Sequence, residues 1–212
     1  MKKRFFSVLY MFLITLFFTS VVSAVKLLNE ERIETNQRVK LQRIILQVLG
    51  MPGEKGVSDL DVVHTFETRV KRVEVKGKDI YVGYGKDGEN IIGYAFPVGG
   101  PGFWGPIFGM VAVDPEASKI LGIAFYRHSE TPGLGARMTE EWFRKQFVGL
   151  PLYPVEEGKK IFYLRTAGPK KGPNELDAIT GATGTSRGIE AFLNEELDRF
   201  LKELWGPLRK GS

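Results

Sequence analysis

Ile80-Tyr81-Val82-Gly83-Tyr84, Lys86-Asp87-Gly88-Glu89 and the apolar run 91–98 read together as two strands joined by a turn. Asp-Gly tolerates the positive φ angles that a tight hairpin needs. Upstream, Arg72-Val73-Glu74-Val75 leads through Lys76-Gly77-Lys78-Asp79 into the first of these strands. Downstream, 107–113 and 120–126 flank Asp114-Pro115-Glu116-Ala117-Ser118-Lys119, a second hairpin. Residues 139–147 read as a short helix, with Thr139 as its cap and Glu140 and Glu141 at its positive end. A further strand is expected over 160–165. Strands in hairpins with helices inserted late predict an α+β fold with mainly antiparallel sheet, not a doubly wound parallel one. No Gly-x-Gly-x-x-Gly follows a strand and opens a helix, which disfavours a dinucleotide-binding domain.

The carboxy-terminal part carries the chemistry. Asp177-Ala178-Ile179-Thr180-Gly181-Ala182-Thr183 places a hydroxyl on a tight turn ahead of an amphipathic helix. The residues Gly184-Thr185-Ser186-Arg187-Gly188 offer hydroxyl caps. From Ile189 the apolar stripe runs through Phe192, Leu193, Leu197, Phe200, Leu201, Leu204 and Trp205. Small residues at Gly181, Ala182 and Gly184 allow close approach of a ligand. A helix start also favours a phosphate. On residue types alone, plain helix capping explains the same string.

Two other segments stand out. Gly99-Gly100-Pro101-Gly102-Phe103-Trp104-Gly105-Pro106-Ile107 is Gly-rich around an aromatic pair, and Trp104 reads equally as a ring-binding or a core aromatic. His128-Ser129-Glu130-Thr131-Pro132-Gly133-Leu134-Gly135 follows a strand as a rigid turn whose backbone could meet the polar edge of a flat heterocycle. An ordinary Pro-Gly connection is the alternative. His128 sits at the mouth of that loop, within reach of the same heterocycle.

These three segments, in this order, resemble the covalent FMN-binding domain family. Asp177, Thr180, Gly181, Ala182 and Thr183 match its acceptor motif, and Glu130-Thr131-Pro132-Gly133-Leu134-Gly135 looks like its second signature. The resemblance implies FMN joined through a phosphoester to the Thr183 hydroxyl by a separate flavin transferase. It also implies a cofactor-binding set of Thr180, Gly181, Ala182, Thr185, Glu130, Thr131, Gly133, Leu134, Gly135 and Trp104 around Thr183, with no catalytic residue and no metal. Within the family the chain is similar to the G subunits of Rnf ion-translocating ferredoxin:NAD oxidoreductase complexes. It is also similar to their relatives, the C subunits of sodium-pumping NADH:quinone oxidoreductases; the shorter chain fits the former. Other subunits of a membrane electron-transport complex are the implied partners. An anchored FMN-binding regulatory module without turnover is the alternative from another class. A standalone reductase finds no second cofactor motif.

The ends of the chain bear on placement. Met1-Lys2-Lys3-Arg4 precedes an uncharged stretch, 5–25, whose 21 residues match the roughly 20 needed to cross a bilayer. The basic flank predicts a cytoplasmic amino terminus in a single-pass inner-membrane protein, with the rest on the periplasmic side. Val22-Ser23-Ala24 keeps a cleaved signal peptide open, but the apolar run exceeds the usual signal core and the helical pattern continues to Gly50-Met51-Pro52. The organisation expected is a cytoplasmic 1–4, a membrane helix 5–25, a juxtamembrane helix and connection 26–69, an FMN-binding domain 70–205 and a tail 206–212. The absence of cysteine excludes disulfides, cysteine-ligated iron–sulfur clusters and a lipidated amino-terminal cysteine. Two histidines, His64 and His128, with no paired spacing, make a dedicated metal site unexpected, and His64 reads as structural. The net charge of +5 is spread over small groups (Arg69, Lys71 and Arg72; Lys159-Lys160; Lys170-Lys171 between Gly168-Pro169 and Gly172-Pro173) that read as solvated surface. No aromatic-basic platform supports nucleic-acid binding. Ser129 beside His128 and Glu130 does not make a hydrolase, because a triad needs spatial convergence.

Overall fold

The computed structural model describes residues 2–52, 56–152, 159–166 and 172–210. The expected turn Gly168-Pro169 and the pair Lys170-Lys171 lie outside the described residues. The chain divides into two compact units, Met1–Leu41 and Gln42–Ser212.

The first unit is helical. Helix α1 (Lys2–Leu28) contains the apolar stretch Arg4–Leu28, 25 residues whose most apolar 18-residue window has a mean hydropathy of 2.2 and is not buried. At about 1.5 Å per residue that is long enough to cross a hydrocarbon core of roughly 30 Å. Its Thr15 hydroxyl donates to the Met11 carbonyl at 2.9 Å, so this polar group is satisfied inside the helix. Asn29 separates α1 from α2 (Glu30–Val48) and donates through Nδ2 to Val25 O at 2.8 Å.

The second unit is built on five antiparallel strands in sequential order: β1 (Val70–Val75), β2 (Lys78–Tyr84), β3 (Ile91–Pro101), β4 (Pro106–Val113) and β5 (Ile120–Arg127). Each expected strand is present, with ends shifted by a few residues. Lys76 and Gly77 turn the first hairpin at positive φ. In the second, only Gly88 takes positive φ, so the Asp-Gly pair works differently from the expected tight turn. Asp87 instead accepts N–H bonds from Asn90 and Glu89 at 3.2 Å, and these hold its carboxyl below the usual carboxylate range. Asp114 organises the third turn in the same way, accepting from Ser118 N at 2.6 Å and Lys119 N at 3.0 Å.

Both faces of the sheet are covered. On one face the end of α2 packs closely: Leu49 and Met51 fill the space over Gly83, Leu49 reaches toward Gly93, and the Val48 backbone lies on Gly122. Gly50, at φ +70, ends that helix where the sequence places its stop. Helix α3 (Asp59–Arg69), where a connection is expected from sequence, follows with Ser58 as its cap. The opposite face carries the main core, Tyr94, Phe96, Val98, Ile107, Val111 and Val113. After β5 come a 3₁₀ turn (Gly135–Thr139) and the short α4 (Glu141–Lys145), in place of the single helix expected over 139–147. Thr139 does not cap α4: its hydroxyl donates to Ala136 O at 2.9 Å. Strand β6 (Tyr163–Arg165) pairs in parallel with β7 (Glu175–Asp177), a strand not expected from the sequence pattern.

The main core is closed by α5 (Thr183–Arg199), a π-helical turn (Phe200–Leu204) and α6 (Trp205–Lys210). Phe200 stacks on Phe96 with centroids 4.3 Å apart, and Trp205 meets Tyr94 edge-on at 5.4 Å. The tail expected from residue 206 is therefore corrected: α6 continues to Lys210, with Leu208 buried in the core. The wide turn precedes Pro207, which has no N–H to continue a regular ladder. Asn194, on α5, holds the approach to β6. Its Oδ1 accepts from Ile161 N at 2.7 Å and Phe162 N at 3.2 Å, and its Nδ2 donates to Phe162 O at 3.0 Å. Asn194→Ala leaves those buried N–H groups without an acceptor. We expect a loss of about 1–3 kcal/mol in denaturant unfolding of the full chain; an unchanged midpoint would contradict this role.

Candidate functional site

The turn before α5 sets the site. Ala182 N donates to Ile179 O at 3.0 Å and Gly181 lies at φ +77, so 179–182 form a turn of the kind that needs glycine at its third position. Ser186 fastens this turn to the helix: its hydroxyl accepts from Ile179 N and donates to Ala182 O, both at 3.0 Å. The helix thus begins at Thr183, six residues before the apolar stripe, and Ser186 secures the turn from inside without acting as the cap. The N-cap is Ala182, which has no side chain to compete for the first N–H groups. The first helical bond runs from Ser186 N to Ala182 O, so the N–H groups of Thr183, Gly184 and Thr185 precede it at the positive end of the helix. Thr183 is exposed at the first helical position, with Thr180 and Gly181 exposed on the turn and Ala182 buried beneath.

Behind the turn, Asp177 is clamped by its backbone. Its N–H donates to Gln146 Oε1 at 2.7 Å and its carbonyl accepts from Gln146 Nε2 at 3.2 Å. Nothing in the sequence around Gln146 signals this role.

The Gly-rich segment is the tip of the β3–β4 hairpin. Pro101 and Pro106 pair across it, and Gly102 N donates to Gly105 O at 2.9 Å. Phe103 and Trp104 project outward, 63% and 66% exposed, with their rings edge-to-face 5.1 Å apart. Trp104 is therefore a surface aromatic, which removes the core reading. The Phe103 ring lies directly on Gly184, the residue after Thr183. A side chain at 184 would displace the ring from the 179–182 turn.

The third segment approaches from β5. Glu130 is only 5% exposed. One carboxylate oxygen accepts from Phe103 N at 2.8 Å and Trp104 N at 3.0 Å, and the other accepts from the Thr185 hydroxyl at 2.5 Å. Gly135 is buried beside Thr185 and Glu130, and Leu134 is exposed with its side chain beside Gly181. Thr131 and Gly133 lie exposed on the outer loop. The Thr131 carbonyl accepts from Leu134 N at 3.2 Å and Ala136 N at 3.1 Å. His128 Nδ1 accepts from Glu130 N at 3.2 Å, so that nitrogen is occupied within the loop.

The structure thus joins Thr183, Gly181, Leu134, Phe103 and Trp104 on one surface, with Glu130, Thr185 and Gly135 beneath it. Thr131 and Gly133 stay at its margin. A phosphate-bearing aromatic group fits this arrangement: an exposed hydroxyl at a helix start, a turn in which Gly181 keeps side-chain bulk away, and two exposed rings alongside. No group of three or more potential metal ligands occurs among the described residues.

Residues 102–198 match the FMN-binding domain family, a stretch that runs from the hairpin tip to the end of α5. The stretch that carries the site is thus similar to FMN-binding domains. More particularly, the chain is 33% identical over 139 residues to the C subunit of the Na(+)-translocating NADH-quinone reductase of Yersinia pestis, covering 63% of this chain and 52% of that one. It is 33% identical over 127 residues to the corresponding protein of Neisseria meningitidis serogroup B, covering 58% and 45%. The chain spans about half the length of these curated relatives. Among solved structures, NqrC of Shewanella oneidensis superposes with a TM-score of 0.70 at 22% identity, covering 84% of this chain and 99% of that one. The C subunit of the Na(+)-translocating NADH-quinone reductase from Parabacteroides distasonis gives 0.63 at 23%, covering 82% and 95%. At these identities the structures establish a shared fold. All four relatives are of the quinone-reductase branch, the second of the two branches the sequence resembles.

Proposed function

We propose that this chain is a membrane-anchored electron-relay subunit of an ion-translocating oxidoreductase complex, with FMN held as a phosphoester on the Thr183 hydroxyl. The observation that carries the reading is the exposed Thr183 at the first position of α5, flanked by the Phe103–Trp104 tip. FMN, when attached, supplies the redox chemistry by accepting a pair of electrons and releasing them singly. The chain's own part is attachment and orientation. The Thr183 oxygen carries the phosphate, the N–H groups of the first turn stabilise its charge, and Phe103, Trp104 and Leu134 offer the ring an apolar bed. No side chain of this surface is assigned a proton transfer.

A flavin transferase installs the group, and α1 anchors the chain with its basic end in the cytoplasm and the domain on the opposite, periplasmic side. The span 5–25 contains no charged residue, so the ion path belongs to other subunits. The comparisons favour a complex of the NADH:quinone type; the Rnf type differs in drawing electrons from ferredoxin. Extraction of native membranes in mild detergent tests the reading. Flavin fluorescence should stay with this chain through a denaturing gel, and the chain should travel with other membrane subunits. Reduction of its flavin by NADH or by reduced ferredoxin then separates the two types. A chain that purifies alone, without flavin, contradicts the proposal.

A further inference from the structure

Glu130 is a buried carboxylate that joins all three segments of the site, and no step of the proposed function uses it. It belongs to the loop after β5, yet its oxygens reach the hairpin tip and the acceptor helix at once. Thr185, its partner on α5, is 2% exposed. Two glycines make room for this pair. A Cβ at Gly102 would stand 2.5 Å from Glu130 Oε1, and one at Gly135 would stand 2.5 Å from Thr185 Oγ1 and 2.6 Å from Glu130 Oε2. Glycine at both positions is therefore explained by the carboxylate, as well as by any turn. Apart from this carboxylate, the tip meets α5 through the exposed Phe103 ring on Gly184 and, one turn on, through Pro101 and Gly102 against Gly188. The stacked core of Phe96 and Phe200 lies farther along β3 and α5 and makes none of these bonds.

From this geometry we infer that Glu130 is a positioning residue: through Thr185 and the Phe103 and Trp104 amides it locks the aromatic tip against the acceptor turn. Resting on the proposed function, the inference adds that the lock sets how firmly the ring of the attached flavin is held. Charge strengthens hydrogen bonds of this kind, and a carboxylate can accept all three at once. A glutamine can satisfy the same three groups, because its oxygen accepts from both amides while its amide nitrogen donates to the Thr185 oxygen. Alanine leaves the Phe103 and Trp104 N–H groups and the buried Thr185 hydroxyl without this partner.

The test uses the full chain in detergent, first without flavin. If the lock holds, chymotrypsin under native conditions should cut after Phe103 mainly when the tip detaches, because the Phe103 and Trp104 N–H groups on either side of that bond both donate to Glu130. Glu130→Ala should speed this cut about tenfold or more, and Glu130→Gln should restore it to near the wild-type rate. Asn194→Ala, which weakens the domain at a distance from the tip, should leave the cut after Phe103 unchanged relative to cuts elsewhere. A wild-type rate in Glu130→Ala, or equal acceleration in Asn194→Ala, overturns the inference. Coexpression with a flavin transferase gives the second reading: attached flavin in Glu130→Ala should show lower fluorescence anisotropy than in wild type or Glu130→Gln, and equal anisotropy would refute the effect on the ring. Wild-type chain without flavin would count against the proposed function, while the proteolysis still decides the lock.

Discussion

Thr183→Ala is expected to reduce covalent flavin to background when the chain is coexpressed with a flavin transferase. The hydroxyl is the only oxygen that side chain offers for esterification, and the substitution touches little else. Thr183 is exposed at the first position of α5, and the turn before it is held by Gly181 and Ser186. An exposed substitution of this kind should shift stability by no more than about 0.5 kcal/mol. Thr183→Ser retains the nucleophilic oxygen and should retain the flavin. Flavin persisting on Thr183→Ala, or vanishing from Thr183→Ser, contradicts the assignment.

Gly188→Ala is expected to destabilise the domain more than any other single methyl added along α5. The new Cβ would run into the Pro101 carbonyl and crowd the Gly102 Cα, both backbone atoms of the hairpin that carries Phe103 and Trp104. Backbone cannot swing aside as a side chain can, so α5 must lift from β3. Its neighbour Phe192, pressed onto Gly100, would lift with it. Overpacking of this kind costs about 1–3 kcal/mol. In a chain of this size that lowers the thermal midpoint by roughly 2–4 °C per kcal/mol, a shift of roughly 2–12 °C. Gly206→Ala, in α6 with open space around it, should leave the midpoint unchanged or raise it slightly. Equal midpoints for Gly188→Ala and Gly206→Ala would show that the close crossing of α5 over β3 is not a constraint.

The hairpins were legible because their turns carry local signals. Gly77, Gly88 and the Asp114 turn each mark a reversal within a few residues, and antiparallel pairing follows from proximity in the chain. Strand β7 was not legible: three residues in parallel pairing with β6 have no turn between them to announce the pairing. The start of α5 was misplaced for a different reason. Residues 183–188 lack the apolar stripe because Gly184 and Gly188 lie against Phe103 and Pro101, where small size substitutes for hydrophobicity. The continuation into α6 was hidden by Gly206 and Pro207, which read as helix breakers but are accommodated after a π-helical turn.

Within the site, the identity of the segments could be read from sequence, but their joining could not. Glu130 and Thr185 are 55 residues apart, and their bond is a product of the fold. The sequence placed the Glu130 loop at the edge of the ring. Its carboxylate instead lies beneath the surface, engaged with Phe103, Trp104 and Thr185. Trp104 shows the opposite case: its type allows core or surface, and only the geometry of the Pro101–Pro106 tip turns it outward.

Trypsin should release residues 172–187 as one peptide, because Lys171 and Arg187 bound a stretch without other basic residues. That peptide contains Thr180, Thr183, Thr185 and Ser186, so fragmentation mass spectrometry can choose among the hydroxyls directly. From chain purified out of native membranes, the peptide should carry the mass of one FMN less one water, with the added mass on Thr183. An unmodified peptide, or the added mass on any other hydroxyl, would contradict the account.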